Sequence, residues 1–155
     1  SSCYSANYTL RKTFTGLNKF NPAFSGDGSK LAFLSENNGQ RKLWLEEVST
    51  SRNLAIRHLL RYKPYASPSL SWSGRYIAII CEFQGRKIVL IEDRIAGKFY
   101  KIPTPIHLKM ETISLSPDGS KLVISHKKNN RIYLKFIDLS KTLASDYIPS
   151  RYSFR

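Results

Sequence analysis

Few residues in this chain of 155 residues combine the type and spacing that catalysis needs. His107 and Glu111 are a spaced pair of metal-ligand types, but they lie in a Pro-rich stretch that supplies no third ligand. Asp27 and Asp118 resemble a carboxylate pair, yet each stands in a turn sequence that accounts for it. No nucleophile elbow, Walker loop, dinucleotide fingerprint or zinc-spaced cluster occurs in the sequence. We therefore expect no catalytic residue, no metal site and no cofactor, and we expect that the protein is not an enzyme.

The basic residues point to binding instead. Lys and Arg total 25 against 11 Asp and Glu, which gives a formal net charge of +14 and favours acidic partners. Along the sequence these residues are dispersed among strand edges, turns and tails, and His126-Lys-Lys128 with Arg131 is typical of a solvated turn. Because a nucleic-acid surface needs a basic stripe interleaved with exposed aromatics, the dispersal disfavours nucleic acid, which stays as the alternative partner.

Composition sets the class of the protein. An apolar fraction of 41% with 12% aromatic residues excludes a disordered basic tail, and no apolar run approaches the roughly 18 to 20 residues of a membrane-spanning helix. Cys3 and Cys81 are too few for a disulfide framework. Cys3 follows Ser1-Ser2 and is a candidate lipoprotein acylation site, the alternative being a free thiol in a mobile N-terminus.

Three segments repeat the same order of residues: a Ser, a turn, a Gly and then an apolar run. The glycines are Gly28, Gly74 and Gly119, at steps of 46 and 45 residues. After a polar break, each first run is followed by a second run, at Leu43–Leu45, Ile88–Ile91 and Ile132–Leu134. Each repeat is therefore predicted to form strand, turn, strand, turn and strand.

The turn residues agree with this prediction. In Pro117-Asp118-Gly119 the Pro sets φ, the Asp side chain can bond to the backbone and the Gly accepts a positive φ, and Gly26-Asp27-Gly28 offers the same preferences. Trp72-Ser73-Gly74 keeps only the Gly and is the least standard of the three turns. The runs Leu31–Leu34 and Ile77–Ile80 are apolar at consecutive positions, which predicts that both faces of these strands are covered, as in radially stacked blades.

The segment Ser116-Pro-Asp-Gly-Ser-Lys-Leu122 before an apolar strand resembles the β-propeller repeat of the TolB family, which is related to Trp-Asp repeats and to the propellers of some serine peptidases. The first repeat carries the pattern as Ser25-Gly-Asp-Gly-Ser-Lys-Leu31, whereas the second departs from it as Ser71-Trp-Ser-Gly-Arg-Tyr-Ile77. The resemblance covers roughly residues 20 to 140 and implies a short, propeller-only relative. It implies export to the periplasm or envelope and contact with a peptidoglycan-associated lipoprotein and other Tol components, but the family's separate N-terminal α/β domain has no counterpart here. The peptidase relatives keep their catalytic triad on another domain, for which three blades leave no room.

A four-stranded blade needs an outer strand beyond each triplet. Asn53 to His58 can be read as helix, but the repeat favours an outer strand, and Lys98–Ile102 is another. Either Tyr8–Thr13 or residues 145–149, which include Asp146–Ile148, completes the last blade. We expect one three-blade unit over residues 1–155, with an outer strand at about 7–13, repeats at about 20–60, 66–104 and 111–150, and a flexible tail at 150–155.

Three blades do not close a ring, because closed propellers usually have about 4 to 8. Two apolar blade faces would be left in water, so we expect a homodimer in which two three-blade halves form a six-bladed ring. In that dimer, Tyr8–Thr13 of one chain completes the last blade of the other. The alternative is that the chain is a fragment of a longer propeller-containing protein.

Binding is expected on the loops that lead into the inner strands, since binding residues concentrate on loops held by a scaffold. These loops are 17–20, 62–65 and 106–110, and Asn21, Ser67 and Glu111 follow them at the predicted inner rim. The candidate binding residues are Lys19, Asn21, Tyr62, Lys63, Tyr65, Ser67, His107, Lys109 and Glu111. We expect them to bind an acidic protein or envelope polymer, the alternative being ordinary solvated loops. His58 and His126 are expected at blade edges or on the surface.

Overall fold

The computed structural model describes residues 2–10 and 18–150, and their regular structure is all-β apart from one short 3₁₀ helix at Leu59–Arg61. The strands are β1 Asn18–Phe24, β2 Lys30–Asn37, β3 Gln40–Glu47, β4 Arg52–Asn53, β5 Lys63–Pro64, β6 Ser69–Leu70, β7 Tyr76–Phe83, β8 Arg86–Asp93, β9 Lys98–Ile102, β10 Lys109–Leu115, β11 Lys121–Lys128 and β12 Arg131–Asp138. The all-β prediction is confirmed.

The strands form separate antiparallel sheets, one for each sequence repeat. Sheet 1 has the order β1-β2-β3-β4, sheet 2 has β5-β7-β8-β9 with β6 also paired to β7, and sheet 3 has β10-β11-β12. The second and third strands pair without a register shift in every sheet, for example from Lys30 opposite Glu47 to Asn37 opposite Gln40. Equal register places the residues of one repeat at the same height as those of the next.

The innermost strand is irregular at the same point in each sheet. Its register shifts between Phe20 and Ala23 in sheet 1 and between Met110 and Thr112 in sheet 3. In sheet 2 the innermost position is divided between β5 and β6. In sheet 2, Pro68 explains the break, since it lies in the gap and a residue without an N–H cannot donate to a ladder.

Each repeat turns from its first to its second strand through a serine turn: Ser25–Gly28, Ser71–Gly74 and Ser116–Gly119. In the first, the Asp27 carboxylate accepts hydrogen bonds from the Ser25 hydroxyl at 2.7 Å and from the Ser29 backbone at 2.9 Å, and Asp118 repeats these contacts in the third. Gly119 has φ 80°, and a Cβ there would lie 2.9 Å from the Tyr76 ring. The turn chemistry predicted for Asp27 and Asp118 is thus confirmed.

The core consists of two apolar layers, one on each side of sheet 2. The layer towards sheet 1 contains Ala32, Leu34, Leu43, Leu45, Ile77, Ile79, Cys81, Ile88 and Leu90. The layer towards sheet 3 contains Tyr76, Ala78, Ile80, Val89, Ile91, Met110, Leu122 and Ile124. Tyr76 to Cys81 are 0% exposed, which confirms that both faces of the middle run are covered.

The outer strands only partly match the sequence-based expectation. Lys98–Ile102 is β9, as predicted, whereas the segment from Asn53 to His58 contributes only Asn53 to the two-residue strand β4. Asp146–Ile148 is not a strand, and that prediction is wrong because the segment leaves sheet 3 and binds the serine turn of sheet 2 through Asp146. Tyr8 to Leu10 are exposed and belong to no strand. Residues 11–13 of the predicted swapped strand and residues 151–155 of the predicted tail lie outside the described residues.

Candidate functional site

The sheets have two chemically different ends. The serine-turn end holds the three serine turns, and the hairpin end holds the connections between the second and third strands at Asn38–Gly39, Gln84–Gly85 and Asn129–Asn130. Because the registers are equal, every strand residue can be assigned to one end. Most of the described acidic residues whose carboxylates hold the fold together through hydrogen bonds lie at the serine-turn end.

Asp93 and Glu92 show how the fold uses carboxylates at that end. The Arg75 guanidinium donates two hydrogen bonds to Asp93, at 3.0 and 2.9 Å. Burial raises the pKa of Asp93, but the Arg75 pair and the N–H groups of residues 95 and 96 outweigh burial and lower it below its usual value. Glu92 is 1% exposed and accepts the backbone N–H groups of Arg57, His58 and Leu59, which fixes the start of the 3₁₀ helix.

Asp146 is a third structural carboxylate, delivered from a distant part of the chain. It accepts the hydroxyls of Ser71 and Ser73 at 2.8 Å each, and the Ser73 backbone N–H at 2.7 Å. Ser73 occupies the position of Asp27 and Asp118 in the other turns, so Asp146 supplies the carboxylate that the second turn lacks. The Tyr76 hydroxyl donates to the Ala144 carbonyl oxygen and holds the same segment in place.

The hairpin end is basic as a consequence. Its described basic side chains are Lys19, Arg41, Lys42, Lys63, Arg86, Lys87, Lys109, Lys127, Lys128 and Arg131, and its described acidic ones are Glu36, Glu82 and Glu111. Two like-charged pairs stand directly opposite one another across sheet 3, Lys109 with Lys127 and Lys128 with Arg131. Like charges in such positions destabilise a sheet, so fold stability does not explain them.

Basic side chains cover several aromatic rings around this end. The Lys87 ammonium lies 3.4 Å from the centre of the Tyr65 ring, and the Arg41 guanidinium lies 5.3 Å from that of Phe20. Lys42 lies 4.2 Å from the Trp44 ring in the same way. These ring faces are occupied by the chain's own cations and are not free for base stacking.

The candidate residues from the sequence are gathered at this end, although in strands more often than in loops. Lys19 and Asn21 lie within β1, Lys63 in β5, and Lys109 and Glu111 in β10. For Lys19, Lys63 and Lys109 this corrects the expectation that they lie in loops before the inner strands, because the inner strands begin earlier than the apolar pattern indicates.

The remaining candidates are placed around them. Tyr62 packs edge-on against Phe83 at 5.7 Å, Tyr65 donates its N–H to the Ile80 carbonyl oxygen, and His107 is exposed in the loop before β10. The Ser67 hydroxyl lies 3.4 Å from the Asn21 carbonyl oxygen, so these two predicted rim positions are neighbours. Glu111 is exposed at the register shift of β10.

Sequence reasoning did not identify the basic residues at the beginning of β3 and β8 as part of the site. Arg41 donates to the Tyr65 carbonyl oxygen at 3.1 Å, and Lys87 donates to the Met110 carbonyl oxygen at 3.3 Å. Arg41 and Lys87 are the second residues of β3 and β8, and each binds the inner strand of the next sheet. The two residues occupy the same position in their repeats, and this match could have identified them from the sequence. The sequence-based statement that the basic residues are dispersed is corrected, since the register collects many of them at one end.

The two cysteines differ in environment. Cys3 is exposed. Cys81 is 0% exposed, and burial raises the pKa of its thiol to about 12. Acylation of Cys3 stays a prediction.

Within residues 2–10 and 18–150, no group of three or more His, Cys, Asp or Glu residues is arranged to hold a metal ion. The same part of the chain contains no helix that is long and apolar enough to cross a membrane.

Solved structures similar to this chain include propellers of the TolB type. TolB from Acinetobacter baumannii matches with a TM-score of 0.65 and 16% identity, over 83% of this chain and 32% of that chain. A protein assigned as TolB from Agrobacterium tumefaciens matches with a TM-score of 0.66 and 13% identity, over 81% of this chain and 47% of that chain. The β-propeller domain of the trilobed protease from Pyrococcus furiosus matches with a TM-score of 0.61 and 15% identity, over 83% and 42%.

These similarities show a TolB-like β-propeller fold, and this chain spans less than half the length of each of those neighbours. Neither a protein-family model nor a curated protein matches the sequence. Acylaminoacyl peptidase from Pyrococcus horikoshii and an oligogalacturonate lyase are also similar in fold, with TM-scores of 0.56 and 0.57. The fold therefore does not exclude catalysis.

Proposed function

We propose that this chain is a non-catalytic, TolB-like propeller unit of three blades that binds an acidic protein or envelope polymer through its hairpin end. The observation that supports the proposal most strongly is the separation of charge between the two ends of the sheets. Carboxylates are hydrogen-bonded within the fold at one end, and basic side chains outnumber acidic ones at the other. A surface of this kind attracts anionic partners and speeds their encounter.

The retained like-charge pairs support the same function. Lys109 opposite Lys127 costs folding free energy, and replacing either residue would relieve it. A partner's carboxylates would compensate that cost on binding. The TolB neighbours add an envelope location to the proposal. The sequence-based hypothesis closes a six-bladed ring with two chains, and it excludes the sheet 3 contact proposed in the next subsection because both use the same face.

Nucleic acid is the second candidate, favoured by the clustering of the basic residues. It is the weaker one because the rings of Phe20, Tyr65 and Trp44 already face cations of the chain itself. Single-stranded nucleic acid gains much of its affinity from stacking on free aromatic faces. The carboxylates of an acidic protein or polymer, by contrast, need only the cations of the hairpin end for their affinity.

Binding of fluorescent poly-L-glutamate and of a single-stranded DNA of equal charge, measured by anisotropy between 50 and 300 mM NaCl, tests the proposal. Lys109→Glu should weaken poly-glutamate binding about tenfold, in line with about 1 to 2 kcal/mol for a lost and reversed charge contact. It should leave stability unchanged or slightly raised, because it pairs with Lys127. Lys141→Glu makes the same charge change beyond the serine-turn end and should alter binding less than twofold.

Equal losses in both variants would show that net charge alone drives binding and would overturn the assignment to the hairpin end. Preference for DNA, with a steep dependence of affinity on salt, would replace the acidic partner by nucleic acid. Fractionation of native cells tests the envelope location separately, and a cytosolic pool would remove it.

A further inference from the structure

The outward face of sheet 3, which is the face turned away from sheet 2, carries an exposed apolar strip. Side chains alternate along β12, and Ile137 faces the core while Ile132, Leu134 and Phe136 face outwards. The three outward residues are 69%, 64% and 72% exposed. This is an unusual arrangement for a water-exposed strand, in which the outward positions are normally polar.

The repeat shows what these positions do elsewhere in the molecule. Ile132 is the counterpart of Arg41 and Lys87, which donate to carbonyl oxygens of the next sheet. Leu134 and Phe136 are the counterparts of Val89 and Ile91, which are buried against sheet 3. Sheet 3 therefore keeps the apolar positions of an inter-blade contact but has lost its cation.

The neighbouring strand β11 has also changed. Tyr76, Ala78 and Ile80 of sheet 2 correspond to Lys121, Val123 and Ser125, so polar groups flank the strip where an inner blade is apolar. The outward face of sheet 3 is thus narrower in apolar area than the faces that pack on a neighbouring blade. The strip fits a narrow apolar partner better than it fits a whole blade.

Sheet 1 offers no equivalent bare face. Phe33, Ser35 and Glu46 alternate with its core-facing residues and point away from sheet 2, yet they are 6%, 3% and 7% exposed in the single chain. A six-bladed ring would require sheet 3 to pack against this outward face of a second chain. Of the apolar side chains on that face, Phe33 is already buried, and Leu31 and Trp44 are half-buried.

We propose that the outward strip of sheet 3 binds the same strip of a second copy, in a two-fold face-to-face contact centred on Leu134. The two β12 strands run antiparallel, so that Ile132 of one copy packs near Phe136 of the other. Lys127 faces outwards at the hairpin end, and at the other end Asp138 faces outwards opposite Lys121 of its own sheet. The two-fold arrangement brings Lys127 of each copy towards this Asp138–Lys121 end of its partner and away from the partner's Lys127. A ring would instead place one basic hairpin end beside another.

The size of the strip indicates a weak dimer. Strands of eight residues at about 3.3 Å per residue, three strands at about 4.8 Å, give a face of roughly 25 by 15 Å. That is well below the roughly 800 Å² per partner of a stable complex, so we expect dissociation in the micromolar range or weaker. This inference does not depend on the acidic partner.

Sedimentation velocity on the full chain from 5 to 500 µM tests the contact. The protein should pass from monomer to dimer with rising concentration, and Leu134→Asp should raise the midpoint at least tenfold, since it buries a charge at the centre of the strip. Ile95→Asp is a matched control, because Ile95 is 73% exposed in the loop after β8 and should not change association. Circular dichroism of both variants verifies that they remain folded.

Cross-linking distinguishes the two architectures. In a Cys3→Ser background, a short bis-maleimide reagent should join two Leu134→Cys chains, because the two-fold axis places their thiols opposite each other across the roughly 10 Å between stacked sheets. Cross-linking only when Leu134→Cys is mixed with Lys42→Cys, on the outward side of sheet 1, would establish the ring and overturn the proposal. A monomer at every concentration, or an unchanged midpoint for Leu134→Asp, would also overturn it.

Discussion

The serine-turn end and the hairpin end are built from the same strands but use charge in opposite ways. At the serine-turn end, Asp27, Asp93 and Asp118 have hydrogen-bond partners that the fold requires. At the hairpin end, Lys109 and Lys127 lie opposite each other, and this contact does not stabilise the fold. The comparison shows that a chain of moderate acid content gains a basic surface at one end of its sheets when its acidic residues are concentrated at the other end. Each of the following predictions tests how complete this division is.

Acid is expected to have the largest effect, because it acts on several serine-turn carboxylates together. For Asp27 and Asp118, burial raises the pKa, but hydrogen bonds from Ser25, Ser29, Ser116 and Ser120 lower it below the ordinary value of 3.8. Their contribution to stability is therefore present above the unfolded pKa and is lost as the pH falls through the lower folded pKa. The free energy of unfolding, from urea titrations followed by tryptophan fluorescence, should be level from pH 7 to 5 and fall steeply below 4. A protein that gained stability below pH 4 would contradict the division.

Replacement of Glu92 should be the most damaging single change. Glu92→Ala leaves the N–H groups of Arg57, His58 and Leu59 without an acceptor, and each such group costs about 1 to 3 kcal/mol when buried. We expect a loss of at least about 3 kcal/mol. Glu36→Ala at the hairpin end is the control, since Glu36 is half-exposed and its pair with Arg41 is worth less than about 1 kcal/mol. Equal losses for both variants would refute the contrast between the ends.

Asp146 and Ser73 allow a double-mutant test of the second serine turn. Asp146→Ala should cost about 2 kcal/mol, because it removes a charged acceptor from Ser71 and Ser73. Ser73→Asp alone should also destabilise, since it places a second carboxylate beside Asp146. In the Asp146→Ala background, however, Ser73→Asp should recover part of the loss by rebuilding the turn of Asp27 and Asp118. Additive free energies in denaturant titrations would show that Asp146 does not replace the turn carboxylate.

Substitutions of hairpin-end lysines should affect stability least. Lys63→Ala and Lys109→Ala change exposed side chains, and we expect shifts within about 0.5 kcal/mol in the same titrations. Lys109→Ala should move towards greater stability because it relieves the repulsion with Lys127. A loss above about 1 kcal/mol would mean that this lysine has a structural role.

The repeated part of the fold could be predicted from the sequence because its signals are local. Ser, Asp and Gly at fixed offsets specify the first and third turns, and continuous apolar runs specify strands buried on both faces. The second turn was identified as unusual from Ser73. That Asp146 replaces the missing carboxylate of this turn was not predictable, since no local pattern connects Ser73 with a carboxylate at residue 146.

The candidate site was predictable only in part, because it depends on register. Lys19, Lys63 and Lys109 were found because they lie in the segments before the predicted inner strands, and the structure places them at one end. Arg41 and Lys87 were missed, since their role is visible only when β3 and β8 lie beside the next inner strand. The outer strand at Asp146–Ile148 was wrong because strand propensity cannot show that a side chain has a distant partner.

The link between Ser71 and Asp146 has a consequence for biosynthesis. The two residues are 75 positions apart, so the ribosome delivers the second serine turn long before the carboxylate that satisfies it. Sheet 1 contains its own turn carboxylate in Asp27 and can mature as it emerges. Sheet 2 must therefore wait until residue 146 has been translated, so the middle one of the three sheets is finished after sheet 3, which follows it in the sequence.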